Sequence, residues 1–197
     1  MPNSFSFNLA LVIAILSSAF ASGGIISLSL LTVPALLLPS ASLPPSSSPS
    51  RAPATPLSHL AHQWLLIHHR GKHIYPSLAA TSALAFSYLA TYSLHSRPDK
   101  LARMYVTAAA FTIAIVPFTL GVIMPTNRRI EACAMRHLRL DQESEKEEEE
   151  EDKDKAEREK EDQDMPQLMV KWAWLNTIRG VFPLMGAAIG ATAATLC

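Results

Sequence analysis

Trp172, Asn176 and Arg179 stand at i, i+4 and i+7 within the run Lys171 to Gly180, KWAWLNTIRG. On a helix this spacing puts an aromatic plate, an amide and a permanent cation on one face. The run lies where a charged stretch gives way to the last apolar segment, and a polar stripe entering a membrane is costly and usually has a use. Two other segments hold residues capable of chemistry. Trp64 and five histidines (His59, His62, His68, His69 and His73) crowd one short stretch, and Met124-Pro125-Thr126-Asn127 precedes Arg128-Arg129. His69 and His73 have the i, i+4 spacing of a metal-ligand pair, but no acidic residue stands near them in sequence to complete a site. Each residue also has a plainer reading. Arg179 can snorkel to headgroups, Asn176 can join two helices, Asn127 can cap a helix end, both tryptophans can anchor an interface, and any one histidine can be surface.

What positions these residues is a chain of apolar runs. The 197 residues have 17 basic and 17 acidic side chains, but the zero net charge is a cancellation. All acidic residues except Asp99 and Glu131 fall between Asp141 and Asp164, so the remainder is basic and embedded in apolar sequence. A balance of this kind says nothing about nucleic acid. Residues 9–33 carry no charge and suffice to cross a hydrocarbon core of about 30 Å. A secretory signal is the rival reading, since Ala19-Phe20-Ala21 resembles a cleavage site, but a basic n-region is lacking and the apolar run continues past Ala21. Within it, Gly23-Gly24 permits a kink or a close helix approach.

Further spans are expected at 74–94, 104–124 and 172–196. Residues 39–56 form a Pro/Ser linker that cannot sustain a helix. Residues 57–73 read as a short amphipathic helix at the interface, ended by Gly71. Ala79, Ala83, Ser87 and Thr91 make a small-residue stripe suited to packing in lipid, as do Gly186, Gly190 and Ala194. Pro117 should kink the third span, and Ile130 to Leu140 can continue it as a basic amphipathic helix. The acidic stretch 141–164 is low-complexity and reads as a disordered, solvated insert. Cys133 and Cys197 form neither a disulfide framework nor a metal spacing, and Cys197 is not in a prenylation box. The fold expected is all-α: one domain, a four-transmembrane-helix bundle with an interfacial amphipathic helix and an acidic insert.

Four spans put the histidine segment, the Asn127 exit and the Trp172 stripe on one membrane face. The distribution of Lys and Arg favours that face being cytosolic. A pocket between the helices there would contain Trp64, Asn127, Asn176 and Arg179 with a histidine in reach, a common setting for a small apolar ligand.

Three elements together carry a family resemblance: a Trp-containing segment after span one, IVPFTLGVIMPTNRRI ending span three, and WAWLNTIRG opening span four. With Pro117, Thr119, Met124, Pro125, Thr126, Asn127 and Arg128 in one motif and Trp172, Leu175, Asn176 and Arg179 in another, the chain resembles the anthrone oxygenase-like membrane family of fungal polyketide pathways. The resemblance covers the four spans but not the linker or the acidic insert. It implies a monooxygenase of secondary metabolism that oxidises a polyketide anthrone to an anthraquinone with molecular oxygen and without flavin, haem or metal. In that reading a histidine of the 59–73 segment, such as His69 or His73, is the base. Arg179 with Asn176 or Asn127 stabilises the oxyanion. Trp64, Trp172 and Thr126 contact the substrate. The partners expected are a small aromatic polyketide and the bilayer, with no nucleic acid, in the endoplasmic reticulum or another endomembrane. The alternatives are a non-catalytic four-span scaffold working through the acidic tract and a small-ligand carrier.

Overall fold

The computed structural model describes residues 4–38, 57–96, 99–143 and 164–196, and among them every element is helical. Helix α1 (Ser4–Ser27) passes through a π-helical stretch, Leu28–Thr32, into α2 (Val33–Leu37). Helix α3 is Leu57–Ser96. Helices α4 (Asp99–Ile113) and α5 (Ile115–Phe118) lead through a second π-helical stretch, Thr119–Ile123, into α6 (Met124–Glu143). Helix α7 (Met165–Thr195) completes the bundle. Around the bundle α1 packs on α3, α3 on α4, α4 on α7 and α7 back on α1.

Three helical stretches, Phe5–Leu37, Asp99–Arg136 and Met165–Thr195, are long and apolar enough to cross a membrane. Helix α3 fills the fourth corner, but its Ser, Thr and Tyr content leaves it less apolar than the other three. The outer surface has the character of a lipid-facing one: Phe20, Leu84 and Trp174 are each about two-thirds exposed (68%, 72% and 68%). Side chains of that size are rarely left in water in such number.

The structure departs from the sequence expectations in two places. Gly71 does not end a helix: the amphipathic segment and the expected span 74–94 are one 40-residue helix that runs through Gly71 and Pro76. A helical glycine costs only about 1 kcal/mol, and both halves of α3 are held by core packing. Leu60, Trp64 and Leu65 pack at one end of the bundle and Phe86, Leu89 and Ala90 at the other. The stripe Ala79, Ala83, Ser87 and Thr91 is not the packing face either. Ser87 and Thr91 are exposed and bond to their own helix, whereas Ala79, Ser82, Phe86 and Leu89 are buried. The packing face leaves the stripe after Ala79 and runs through Ser82 to Phe86 and Leu89, whose larger side chains fill the interior. As the sequence allowed, the third span runs on into the basic helix, and α7 begins at Met165, upstream of Trp172. The 39–56 linker and most of the acidic insert (144–163) lie outside the described residues.

Buried hydroxyls and glycines fasten the middle of the bundle. Ser18 donates to the Pro183 carbonyl (2.7 Å), Ser22 to the Gly180 carbonyl (2.8 Å) and Ser82 to the Ala14 carbonyl (2.7 Å). In an apolar medium such bonds satisfy groups that have no water to turn to. Ser18 and Ser22 flank the Ala19-Phe20-Ala21 triplet, so this stretch of α1 is an integral part of the packed bundle. Gly186 sits directly against Thr112 and Gly190 against the Phe86 ring, leaving no room for a β-carbon at either position.

Prolines account for the irregular backbone near the site. Pro117 has no N–H to offer the Ile113 carbonyl. The helix is interrupted at Ala114, whose N–H reaches both Ala110 O (3.0 Å) and Phe111 O (3.2 Å). The widened Thr119–Ile123 turn follows at once. A π-bulge of this sort rotates the side chains beyond it relative to a regular helix.

Candidate active site

A cavity of about 390 Å³ opens among α3, the α5–α6 stretch and α7, with Leu28 contributing from the π-helical stretch after α1. Its α3 wall is His68, Gly71, Lys72 and Tyr75, spaced i, i+3, i+4, i+7 and therefore one stripe of the helix. Asn127 and Glu131, one turn apart on α6, form a second wall, and Trp172 and Arg179 on α7 a third. Ile115, Val116, Thr119, Leu120 and Met124 supply most of the apolar lining. Volumes of about 300–1,000 Å³ with a few placed polar groups are usual for small-molecule sites.

The polar groups are held by specific contacts. Trp172 donates its indole N–H to Asn127 Oδ1 (2.8 Å). Indole nitrogen can only donate, so this bond sets which way the amide faces and leaves the Asn127 N–H₂ as the donor still available. Thr119 donates to the Ile115 carbonyl (2.6 Å), and its oxygen accepts from Arg179 Nη1 (3.4 Å). Arg179 makes no ion pair with a described carboxylate, and its buried Nε has no hydrogen-bond partner. A guanidinium with five donors and so few partners is a receptor for negative charge.

His68 is held flat against Trp64, with ring centroids 4.7 Å apart and planes within 6° of parallel. Trp64 in turn meets Trp172 edge-on at 5.9 Å. Burial pushes the His68 imidazole below its ordinary value of 6.5. The negative charge of Glu131 works against that shift, and the cations Lys72 and Arg179 and the neighbouring His69 work with it. Tyr75 is fixed by two glycines. A β-carbon at Gly24 would come within 2.7 Å of its ring, and one at Gly71 within 3.2 Å. The close approach anticipated at Gly23-Gly24 thus belongs to Gly24, while Gly23 faces open space.

Of the residues anticipated from sequence, Asn127, Trp172 and Arg179 come together on the cavity wall. Asn176 is buried beside them but donates back to the Trp172 carbonyl (3.0 Å) and does not line the cavity. Trp64 lies behind His68, and Thr126 is buried outside the lining. His69 and His73 are exposed on other faces of α3. The histidine in the cavity is His68. An acid does stand near it, contrary to the impression left by sequence distance: Glu131 arrives from α6, 63 positions further on. Among the described residues no three His, Cys, Asp or Glu side chains cluster as a metal site would require. Sequence reasoning missed His68 as distinct from its neighbours, Tyr75, Lys72 and Glu131. The available signal for Glu131 was its i, i+4 relation to Asn127, together with its rarity as an acid outside the charged tract.

The sequence as a whole has known relatives. A family profile described as anthrone oxygenase matches residues 64–189, which include every polar residue named on the cavity wall. The chain is 31% identical over 131 residues to an anthrone oxygenase of Aspergillus novofumigatus, covering 66% of this chain and 68% of that one. It is 29% identical to an anthrone oxygenase of Paecilomyces divaricatus, with 93% of both chains covered. With a noranthrone monooxygenase of Aspergillus flavus it shares 28% identity, over 90% of this chain and 70% of the other. No solved structure matches the chain.

Proposed function

The chain belongs to the anthrone oxygenase family, and on that premise we propose that it oxidises the central methylene of a polyketide anthrone to a ketone with molecular oxygen, using the His68–Arg179 cavity and no cofactor. The observation that carries the reading is the placement of a histidine and of an arginine with no ion pair among the described residues on different walls of one largely apolar cavity.

The chemistry follows from the substrate. The methylene of an anthrone lies between two aryl rings and across the central ring from a ketone, so its proton is unusually acidic. His68 takes that proton, and the electron pair left on carbon delocalises onto the ketone oxygen. Arg179 and the free Asn127 N–H₂ receive the oxyanion, and Trp172 offers an edge or face to the tricycle. The anion passes one electron to oxygen, and the resulting carbon radical and superoxide combine in a C–O bond. Protonation from the His68 imidazolium gives a hydroperoxide at that carbon. Loss of the remaining C–H proton with cleavage of the O–O bond then releases water and the quinone. One oxygen atom ends in the product and the other in water, so no external reductant is consumed. Since the substrate anion reduces oxygen itself, the protein has only to make and hold that anion.

Membranes containing the protein, incubated in air with emodin anthrone, should form quinone well above the autoxidation rate. Extensive dialysis against a chelator should leave that rate unchanged. Quinone formation no faster than in empty membranes would sink the reading for this substrate.

A further inference from the structure

Three features outside the reaction as just described compete for attention. One is the cleft between α6 and α7 lined by Arg129, Arg136 and Asp164. Another is the lipid-facing groove beside Trp174. The third is the acid inside the cavity itself. In the first cleft the carboxylate of Asp164 stands among the arginines and opposes their charge. The groove is apolar, with nothing to say what covers it. Glu131 is different, because a half-buried carboxylate in a cavity built to hold an anionic intermediate opposes that task unless it serves a cation.

We propose that Glu131 is a positioning residue for proton transfer: from the α6 wall it holds the positive charge that His68 acquires with the substrate proton, and so makes His68 a competent base. This rests on the reading of His68 as the base. Glu131 and Asn127 share one face of α6 at i, i+4, so the same helix brings a carboxylate and an amide to the cavity that His68 lines from α3. His68 cannot rotate freely, because its ring is stacked on Trp64 and Trp64 is wedged against Trp172. Among the described residues, the charged or titratable groups around it are His69, Lys72 and Tyr75 on α3, Glu131 on α6 and Arg179 on α7. Of these, only Glu131 favours the protonated imidazole, against burial, Lys72, His69 and Arg179, which all disfavour it. No hydrogen bond joins the two side chains directly, so the carboxylate acts through its field. The cavity thus carries both a negative and a positive side chain, Glu131 on the α6 wall and Arg179 on the α7 wall.

The test uses the full-length protein in detergent or nanodiscs with isotope-labelled histidine, the His68 signal being assigned by its loss in His68→Gln. In Glu131→Gln the His68 titration midpoint should fall by about half a unit or more, while Glu131→Asp stays close to the parent. With emodin anthrone the acid limb of kcat/KM should move the same way, and the plateau should drop roughly three- to ten-fold as the base weakens. Arg129→Gln, a change of charge on the same helix outside the cavity, should leave midpoint and limb in place. A Glu131→Gln midpoint that stays put or rises, or an equal shift in Arg129→Gln, would overturn the proposal. If the wild type oxidises no anthrone, the function proposed above fails for that substrate, and the magnetic-resonance titration still decides whether Glu131 sets the state of His68. Should His68→Gln retain full activity, the base reading falls and the proposal falls with it.

Discussion

His68 differs from its neighbours His69 and His73 in azimuth and burial. It shares a stripe with Gly71, Lys72 and Tyr75, whereas His69 and His73 project from other faces. Replacing it with Gln should lower kcat by about 10²-fold or more, whereas His69→Gln and His73→Gln should stay near the parent rate. The pH dependence has a definite sign. Burial lowers the His68 pKa from 6.5, so the neutral, basic form prevails at neutral pH. The rate should be level above about pH 6.5 and fall as acid carries the solution through the lowered value. An acid limb centred above that point would contradict the burial. Arg179→Ala should cost about 10²-fold in kcat and Arg179→Lys less, since Lys keeps the charge but loses the planar fork. Trp172→Phe would leave Asn127 Oδ1 without its buried partner. A loss of about 1–3 kcal/mol is expected, together with a drop in activity as the amide loses its orientation. Thermal melting in detergent and the quinone assay would read the two effects separately.

At the level of the element, the site depends on irregular backbone between regular helices. Pro117 was readable as a kink, and the structure supplies its consequence: the widened turn at Thr119 lets that hydroxyl, anchored on Ile115, accept from Arg179 across the bundle. The helices themselves are held by close approach. Gly186→Ala would push a methyl group against Thr112 and bring it 2.9 Å from the Ala108 carbonyl, which is backbone and cannot swing away. A destabilisation of about 1–3 kcal/mol is expected, seen as a lower melting temperature in detergent. Gly23→Ala meets open space and should not destabilise, because alanine is the better helix former by about 1 kcal/mol. Equal losses from both substitutions would show that helix contact is not what Gly186 provides.

For the whole molecule, the cavity lies towards the end of the bundle where the 39–56 and 144–163 segments attach, and among the described residues its lining is helical. Replacing residues 144–163 with a short Gly/Ser linker should therefore leave quinone formation within about two-fold, the connection being long enough to rejoin α6 to α7. Loss of turnover with the bundle intact would instead favour a role for the acidic tract in scaffolding. The outer surface makes a companion expectation. With Phe20, Leu84 and Trp174 facing outward, the protein should partition into membranes and need detergent for extraction.

By itself the sequence determined the helical class, the apolar runs and the convergence of three polar segments, because hydropathy and spacing along one chain dictate what a helix can bury. Trp172 and Arg179 were legible for the same reason: i, i+7 on one helix is a local fact. The continuity of α3 through Gly71 was not legible, since local propensity disfavours it and core packing at both ends decides it. Nor could spacing choose His68 over His69, or bring Glu131 to it across 63 residues. A periodic pattern says which residues share a face. Only the packing of helices against one another says what that face looks upon.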